Sequence, residues 1–194
     1  MSNVTDVSLL ERVRKTGDEA AWGAFAQVYT PLIETWLRAK GMTSGFAADV
    51  RQEVLLVVLR ELPGFEHNRR TGAFRNWLRQ VTANQLRAFW RKENRAAQAR
   101  GPEFLALAEQ LEDHDSELSR EFNLQHDRYV LEKLLELIEA QFQRNSVSAF
   151  REVVLKGRDA SEVAESLGMT VNAVRIAQSR VLRKLREFGR GLLD

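Results

Sequence analysis

The chain has no cysteine. That excludes a disulfide scaffold, a thiolate zinc site and a cysteine nucleophile, and it fits a reducing compartment. The 194 residues include only three histidines, His67, His114 and His126, and none has metal-ligand spacing. His114, between Asp113 and Asp115, reads as a solvated charge cluster rather than a metal site. There is no phosphate-cradling glycine loop, no nucleophile elbow and no convergent pair of carboxylates with a base. No catalytic residue, metal or cofactor is therefore expected, and the chain reads as a non-enzyme. Long apolar runs are absent too. The longest, Val54 to Leu59, ends at Arg60, far short of the roughly 18 apolar residues of a membrane span. The N-terminal MSNVTDVSLLERV lacks an apolar core behind basic residues, so no signal peptide is evident. A soluble, cytoplasmic protein is expected.

Net charge is only +2, which excludes a basic tail or coat, but the charge is unevenly spread. Residues 87–100 hold five Arg or Lys against one Glu, and residues 103–127 hold eight acids against one Arg. Two basic zones flanking an acidic stretch suggest two contacts with a polyanion and a tether between them. Only three prolines interrupt the chain, and helical periodicity dominates. An all-α protein is expected, with helices from about Asp6, from Asp18 (kinked at Pro31), over 46–62 and from near Ala73. The break falls where Gly101-Pro102 interrupts the helical pattern. This gives a first domain over 1–96, an acidic linker with short helical pieces over 97–128, and a second domain over 129–194.

The segment from Asp159 to Leu185 carries most of the functional signal. Asp159 and Glu162 have capping-box spacing, Val163, Ala164 and Leu167 form an apolar stripe, and Gly168 suits a left-handed helix end. Thr170 then caps a second helix. Val171, Val174, Ala177, Val181, Leu182 and Leu185 suit its buried face. Asn172, Arg175, Gln178, Ser179, Arg180, Arg183 and Lys184 suit the other. Thr170 to Arg186 holds five cations and no acid. A helix-turn-helix with a basic second helix fits a DNA major groove, its N-terminal part near base edges. A solvated surface helix in an ordinary bundle is the plainer alternative.

Further back, Phe74 to Lys92 interleaves aromatics, amides and cations on one helix. Such a surface can neutralise phosphates and hold unstacked bases, although Phe74, Trp77 and Leu78 equally suit a core.

Together these segments resemble the extracytoplasmic-function sigma factors of the sigma-70 family, over nearly the whole chain. Asp49-Val-Arg-Gln-Glu-Val-Leu55 is similar to the family's D-x-x-Q-E-x-F polymerase-binding helix. Phe65 with Phe74-Arg-Asn-Trp77-Leu is similar to its loop and F-x-x-W-L helix. Ala149-Phe150-Arg and the Glu162–Leu185 segment resemble region four. The resemblance implies two helical domains, region two and region four. In region two, Asp49, Gln52 and Glu53 would meet a coiled coil of core RNA polymerase. Trp77, Asn84 and Arg87, with the loop around Arg91, Lys92 and Arg95, would hold flipped bases and adjacent phosphates of melted promoter DNA. In region four, Asn172, Arg175 and Gln178 are the base-edge candidates, and Arg180, Arg183 and Lys184 the phosphate candidates. The acidic stretch resembles the family connector, which threads toward the RNA exit path.

One departure stands out. Relatives carry an acidic run before the Gln-Glu pair, roughly D-A-E-D, where this chain has Phe46, Ala47, Ala48 and Asp49. Either other packing compensates for the missing charge, or a kinase supplies it at Thr43 or Ser44, at the expected helix start. An anti-sigma factor is a further expected partner. Two other readings remain open. An independent operator-binding regulator explains residues 129–194 but not Gln52-Glu53 or the Trp77 helix. An interaction protein, such as an anti-sigma partner, would bind polymerase or sigma without a DNA footprint.

Overall fold

A computed structural model describes residues 8–15, 17–66, 72–93 and 101–193. Among these residues all regular structure is helical and there is no strand, as an all-α chain requires. The described residues form two compact units, one of residues 9–130 with 191–193 and one of residues 131–190 with Ser8.

In the first unit, α1 (Leu9–Val13) and α2 (Glu19–Ala39) are joined through Gly17, whose φ of 94° few other residues tolerate. The expected cap at Asp6 lies outside the described residues. Asp18 caps α2, its carboxylate accepting from the Ala21 amide at 2.9 Å and from the Arg12 guanidinium at 3.0 and 3.1 Å. Hydrogen bonds from Arg12, and after them the capping bond from the Ala21 amide, hold the Asp18 carboxyl below its usual range. The helix runs unbroken through Pro31. Next, α3 (Ser44–Glu61) ends in a short 3-10 turn, Leu62–Gly64, at Pro63. Then α4 (Ala73–Glu93) buries Phe74, Leu78, Val81, Leu86 and Trp90.

The acidic stretch is not an extended tether. It is helical in α5 (Gly101–Glu112) and again from Glu117, where α6 (Glu117–Ile138) begins. Gly101-Pro102 starts a helix instead of interrupting one, because an amide in the first turn has no intrahelical partner to lose. Phe104, Ala108 and Leu111 bury one face of α5, which packs along α4. Leu118, Phe122, His126 and Val130 recur every fourth residue and are buried on α6.

Polar groups fasten this segment to α2 and α4. Arg79 is 1% exposed and donates to the carbonyls of Leu111 (2.6 Å) and Asp113 (3.3 Å), and to Ser119 Oγ. His126 is also buried. Its Nε2 lies 3.2 Å from Tyr29 Oη, and its Nδ1 lies 3.0 Å from the Asp127 carboxylate, which Arg75 also binds. Burial holds the His126 ring below its usual pKa, so the neutral ring donates from Nδ1 and accepts at Nε2. Burial alone would raise the Asp127 carboxyl, but hydrogen bonds from His126 and Arg75 leave it lowered.

In the second unit, α6 ends in a 3-10 turn and α7 (Arg144–Phe150) follows. A single π turn, Arg151–Leu155, then widens the backbone, with the Lys156 amide bonded to the Arg151 carbonyl at 3.1 Å. Next come α8 (Ala160–Leu167) and α9 (Val171–Phe188). Ala149, Val163, Ala164, Val174 and Ala177 form their shared core, with Leu167, Met169 and Val171 packed against it.

Candidate nucleic-acid interface

The join between α8 and α9 is set locally. Asp159 caps α8 by accepting from the Ser161 amide at 2.7 Å. Hydrogen bonds from Ser161 hold the Asp159 carboxyl below its usual range, and the Arg175 charge adds a small further pull. Gly168 takes the left-handed conformation, φ 63° and ψ 35°. The Met169 amide reaches back to the Ala164 carbonyl (2.8 Å) and the Gly168 amide to that of Glu165 (3.3 Å), a Schellman ending. Thr170 Oγ1 then accepts from the Ala173 amide at 3.1 Å and starts α9.

Burial of Val174, Ala177, Val181 and Leu185 fixes the rotation of α9. Its outward face carries Asn172, Arg175, Ser179, Arg180, Arg183 and Arg186, all exposed. Gln178 and Lys184 are half-buried on its flanks. A residue unassigned from the sequence joins the outward row: Ile176 is 45% exposed. The apolar periodicity that found the buried stripe gives no reason to look for an isoleucine on the opposite side.

On α4 the candidate residues divide. Asn84, Arg91 and Lys92 are exposed. Trp77 is half-buried, its ring 5.1 Å from that of Phe65 and 5.6 Å from that of Phe74. Arg87 is half-buried and paired with Glu112 of α5. One turn further on, Trp90 is buried and stacks on Phe104 with centroids 4.5 Å apart and rings 13° from parallel. The face of α4 through Arg79, Arg87 and Trp90 is thus occupied by α5 and the loop after it. The face through Asn84 and Arg91 is open. Arg95 and His67 lie outside the described residues.

Asp49, Gln52 and Glu53 are exposed on neighbouring turns of α3. With Gln85, Ala88, Phe89 and Lys92 of α4 they line a groove of about 450 Å³. Asp49, Gln52 and Glu53 therefore share their groove with Lys92, assigned from the sequence to DNA. Thr43 and Ser44 are exposed at the start of α3. Thr43 occupies the cap position without a side-chain cap hydrogen bond, and the first turn has no acid. Of the two positions where this chain lacks the acid, Phe46 has a packing role and Ala48 is half-buried. The Phe46 ring lies 5.2 Å from Phe89 and 6.1 Å from Trp90, both edge-on, and Ala47 is fully buried.

Both helical faces present hydrogen-bond donors and cations to solvent, a chemistry suited to polyanions. Among the described residues no group of three or more His, Asp or Glu side chains could hold a metal ion. No described helix is long and apolar enough to cross a membrane. Comparison with protein-family models, curated proteins and solved structures finds no match.

Proposed function

We propose that the chain is an alternative sigma factor of the extracytoplasmic-function type, a cytoplasmic subunit that directs core RNA polymerase to promoter DNA and starts transcription there. The observation that carries this reading is the α8–turn–α9 pair, capped at both helices, with an outward face of amide, hydroxyl and guanidinium groups that carries no acid before Glu187, which lies 4.0 Å from Arg183. A major groove accepts such a helix, and the exposed cations on α9 would neutralise phosphates on either side of it. Asn172 and Arg175 are the base-edge groups, with Arg180 and Arg183 toward phosphates. Gln178 and Lys184, being on the flanks, reach at most the groove walls.

The sigma reading is favoured over an independent operator-binding regulator by the first unit. A regulator needs no exposed Asp49-Gln52-Glu53 row. In the proposed function this row meets basic groups on polymerase. Asn84, Arg91 and Lys92 meet melted promoter DNA, with Trp77 stacking on a base from its open edge. In the free chain Glu112 takes the place on Arg87 that a phosphate would occupy. An anti-sigma factor would compete for the same surfaces. The packing of Phe46 supports the first explanation of the missing acidic run, compensation by other contacts. Phosphorylation of Thr43 or Ser44 by an activating kinase is the alternative, and the exposure of both hydroxyls favours testing it.

The test is equilibrium binding of the full chain to purified bacterial core polymerase. Submicromolar binding that the double substitution Gln52→Ala, Glu53→Ala weakens at least tenfold supports the proposal. Absence of polymerase binding, together with operator binding by the chain alone, replaces it with the regulator reading.

A further inference from the structure

We propose that Ile176 is a specificity-determining residue that recognises the 5-methyl group of a thymine in the major groove entered by α9. The inference rests on the DNA-binding role given to α9 above and goes further, to a single base and a single functional group.

The buried residues Val174, Ala177, Val181 and Leu185 leave α9 one orientation. At ~100° per residue, the direction opposite their mean passes through Asn172, Ser179 and Arg183, with Ile176 about 35° to one side. Isoleucine is among the residues most often buried in proteins, and a single exposed apolar residue is by itself ordinary. The position is what sets Ile176 apart. It lies one turn after Asn172 and one turn before Arg180, next to Arg175 and three residues before Ser179. It is also the one large hydrophobic exposed on α9.

The groove presents one apolar feature among the four bases, the thymine methyl. Arginine and asparagine read guanine and adenine edges by paired hydrogen bonds. Isoleucine can form none, so in the same row it responds only to the methyl. Its branched β-carbon holds χ1 almost entirely in one rotamer on a helix. The side chain is therefore already ordered for contact, and its two arms cannot swing aside to admit a polar base edge. Asn172 and Arg175 on the adjoining turn would fix the neighbouring bases and hence the register of the methyl.

Replacing thymine by uracil deletes this methyl and leaves every hydrogen-bonding group in place. The probes are duplexes recovered from a randomised pool by the full chain with core polymerase. Each thymine of the recovered distal element is changed singly to deoxyuridine. The expected result is one position at which uracil weakens binding about fourfold, the effect of one buried methyl. Ile176→Ala should bind the thymine and uracil duplexes equally at that position, with its selectivity elsewhere unchanged. Because Ile176 is exposed, the variant should keep the wild-type melting temperature, which is measured alongside.

Two results overturn the inference while leaving the function above intact. In one, sequences are recovered and Arg175→Ala changes them, yet no uracil position weakens the wild type. In the other, Ile176→Ala keeps the thymine preference, or weakens binding to polymerase without DNA, which would make Ile176 a protein contact. Recovery of no sequence at all overturns both.

Discussion

Arginine 79 offers a direct test of how residues 101–119 are held. Its guanidinium is buried on α4 and donates to the Leu111 carbonyl, the Asp113 carbonyl and Ser119 Oγ, with no carboxylate among the described residues bound directly. Burial lowers its pKa from the ordinary arginine value, and the negative charge of Asp113 partly offsets this. Arg79→Ala removes three donated hydrogen bonds. Part of that loss is recovered, because Ser119 Oγ also lies 3.2 Å and 2.7 Å from the same two carbonyls. A further part is offset because the charge no longer has to be desolvated. What remains is one dry acceptor's worth of lost bonding and an unfilled side-chain volume, about 3 kcal/mol together. With a urea dependence of about 2 kcal/mol per molar, the midpoint should fall by about 1.5 M. Tryptophan fluorescence follows the relevant unit alone, since Trp22, Trp36, Trp77 and Trp90 all lie within residues 9–130. Arg79→Met, which fills the volume without a charge, should lose less than half as much. A midpoint for Arg79→Ala within 0.3 M of wild type, as an order-of-magnitude limit, would refute the reasoning.

Four other outcomes are expected. The His126 ring is neutral in the fold and has its pKa lowered from 6.5, so the unfolded chain binds its proton first. Stability should hold above about pH 6.5 and fall as pH drops below it, by up to about 1.4 kcal/mol per unit, and His126→Asn should flatten that slope in urea titrations at pH 5 to 7. Gly168→Ala meets no atom within 4 Å, so its cost is the left-handed backbone alone, about 1 kcal/mol by thermal melting. Glu112→Gln releases Arg87 from a partly exposed pair and should raise affinity for a single-stranded oligonucleotide by at most about fivefold, measured by anisotropy. If the Phe46 packing replaces the acidic run, alanine or glutamate at both Thr43 and Ser44 should leave polymerase affinity unchanged; a gain with glutamate would favour the kinase instead.

What could be read from the sequence was what is decided locally. The caps at Asp18, Asp159 and Thr170 and the left-handed Gly168 involve residues within five positions of one another, and each appears in the structure in its expected role. The fate of residues 101–130 was not local. Their acids dominate the composition, and the few apolar anchors, Phe104, Leu111 and Phe122, gain their burial from partners far along the chain. Tyr29 and His126 are 97 positions apart, and Arg79 and Ser119 are 40 apart. Nothing around His126 in the sequence separates a buried ring from a solvated one among acids. Arg87 and Arg91 look alike in sequence, yet only Arg87 faces Glu112. Phe46 read as a missing acid, whereas its ring contacts with Phe89 and Trp90 give it a positive role that α3 alone could not reveal. Ile176 escaped notice because helical periodicity sorts apolar residues toward the core and passes over one that points away.

The most direct test of the central claim is transcription by purified core polymerase on a genomic fragment library, with and without the full chain. The account predicts new start sites that share two spaced sequence elements. Asn172→Ala with Arg175→Ala should abolish selection of the distal element, and Gln52→Ala with Glu53→Ala should abolish the starts altogether. Unchanged start sites in the presence of the chain, with no association between it and polymerase, would contradict the account.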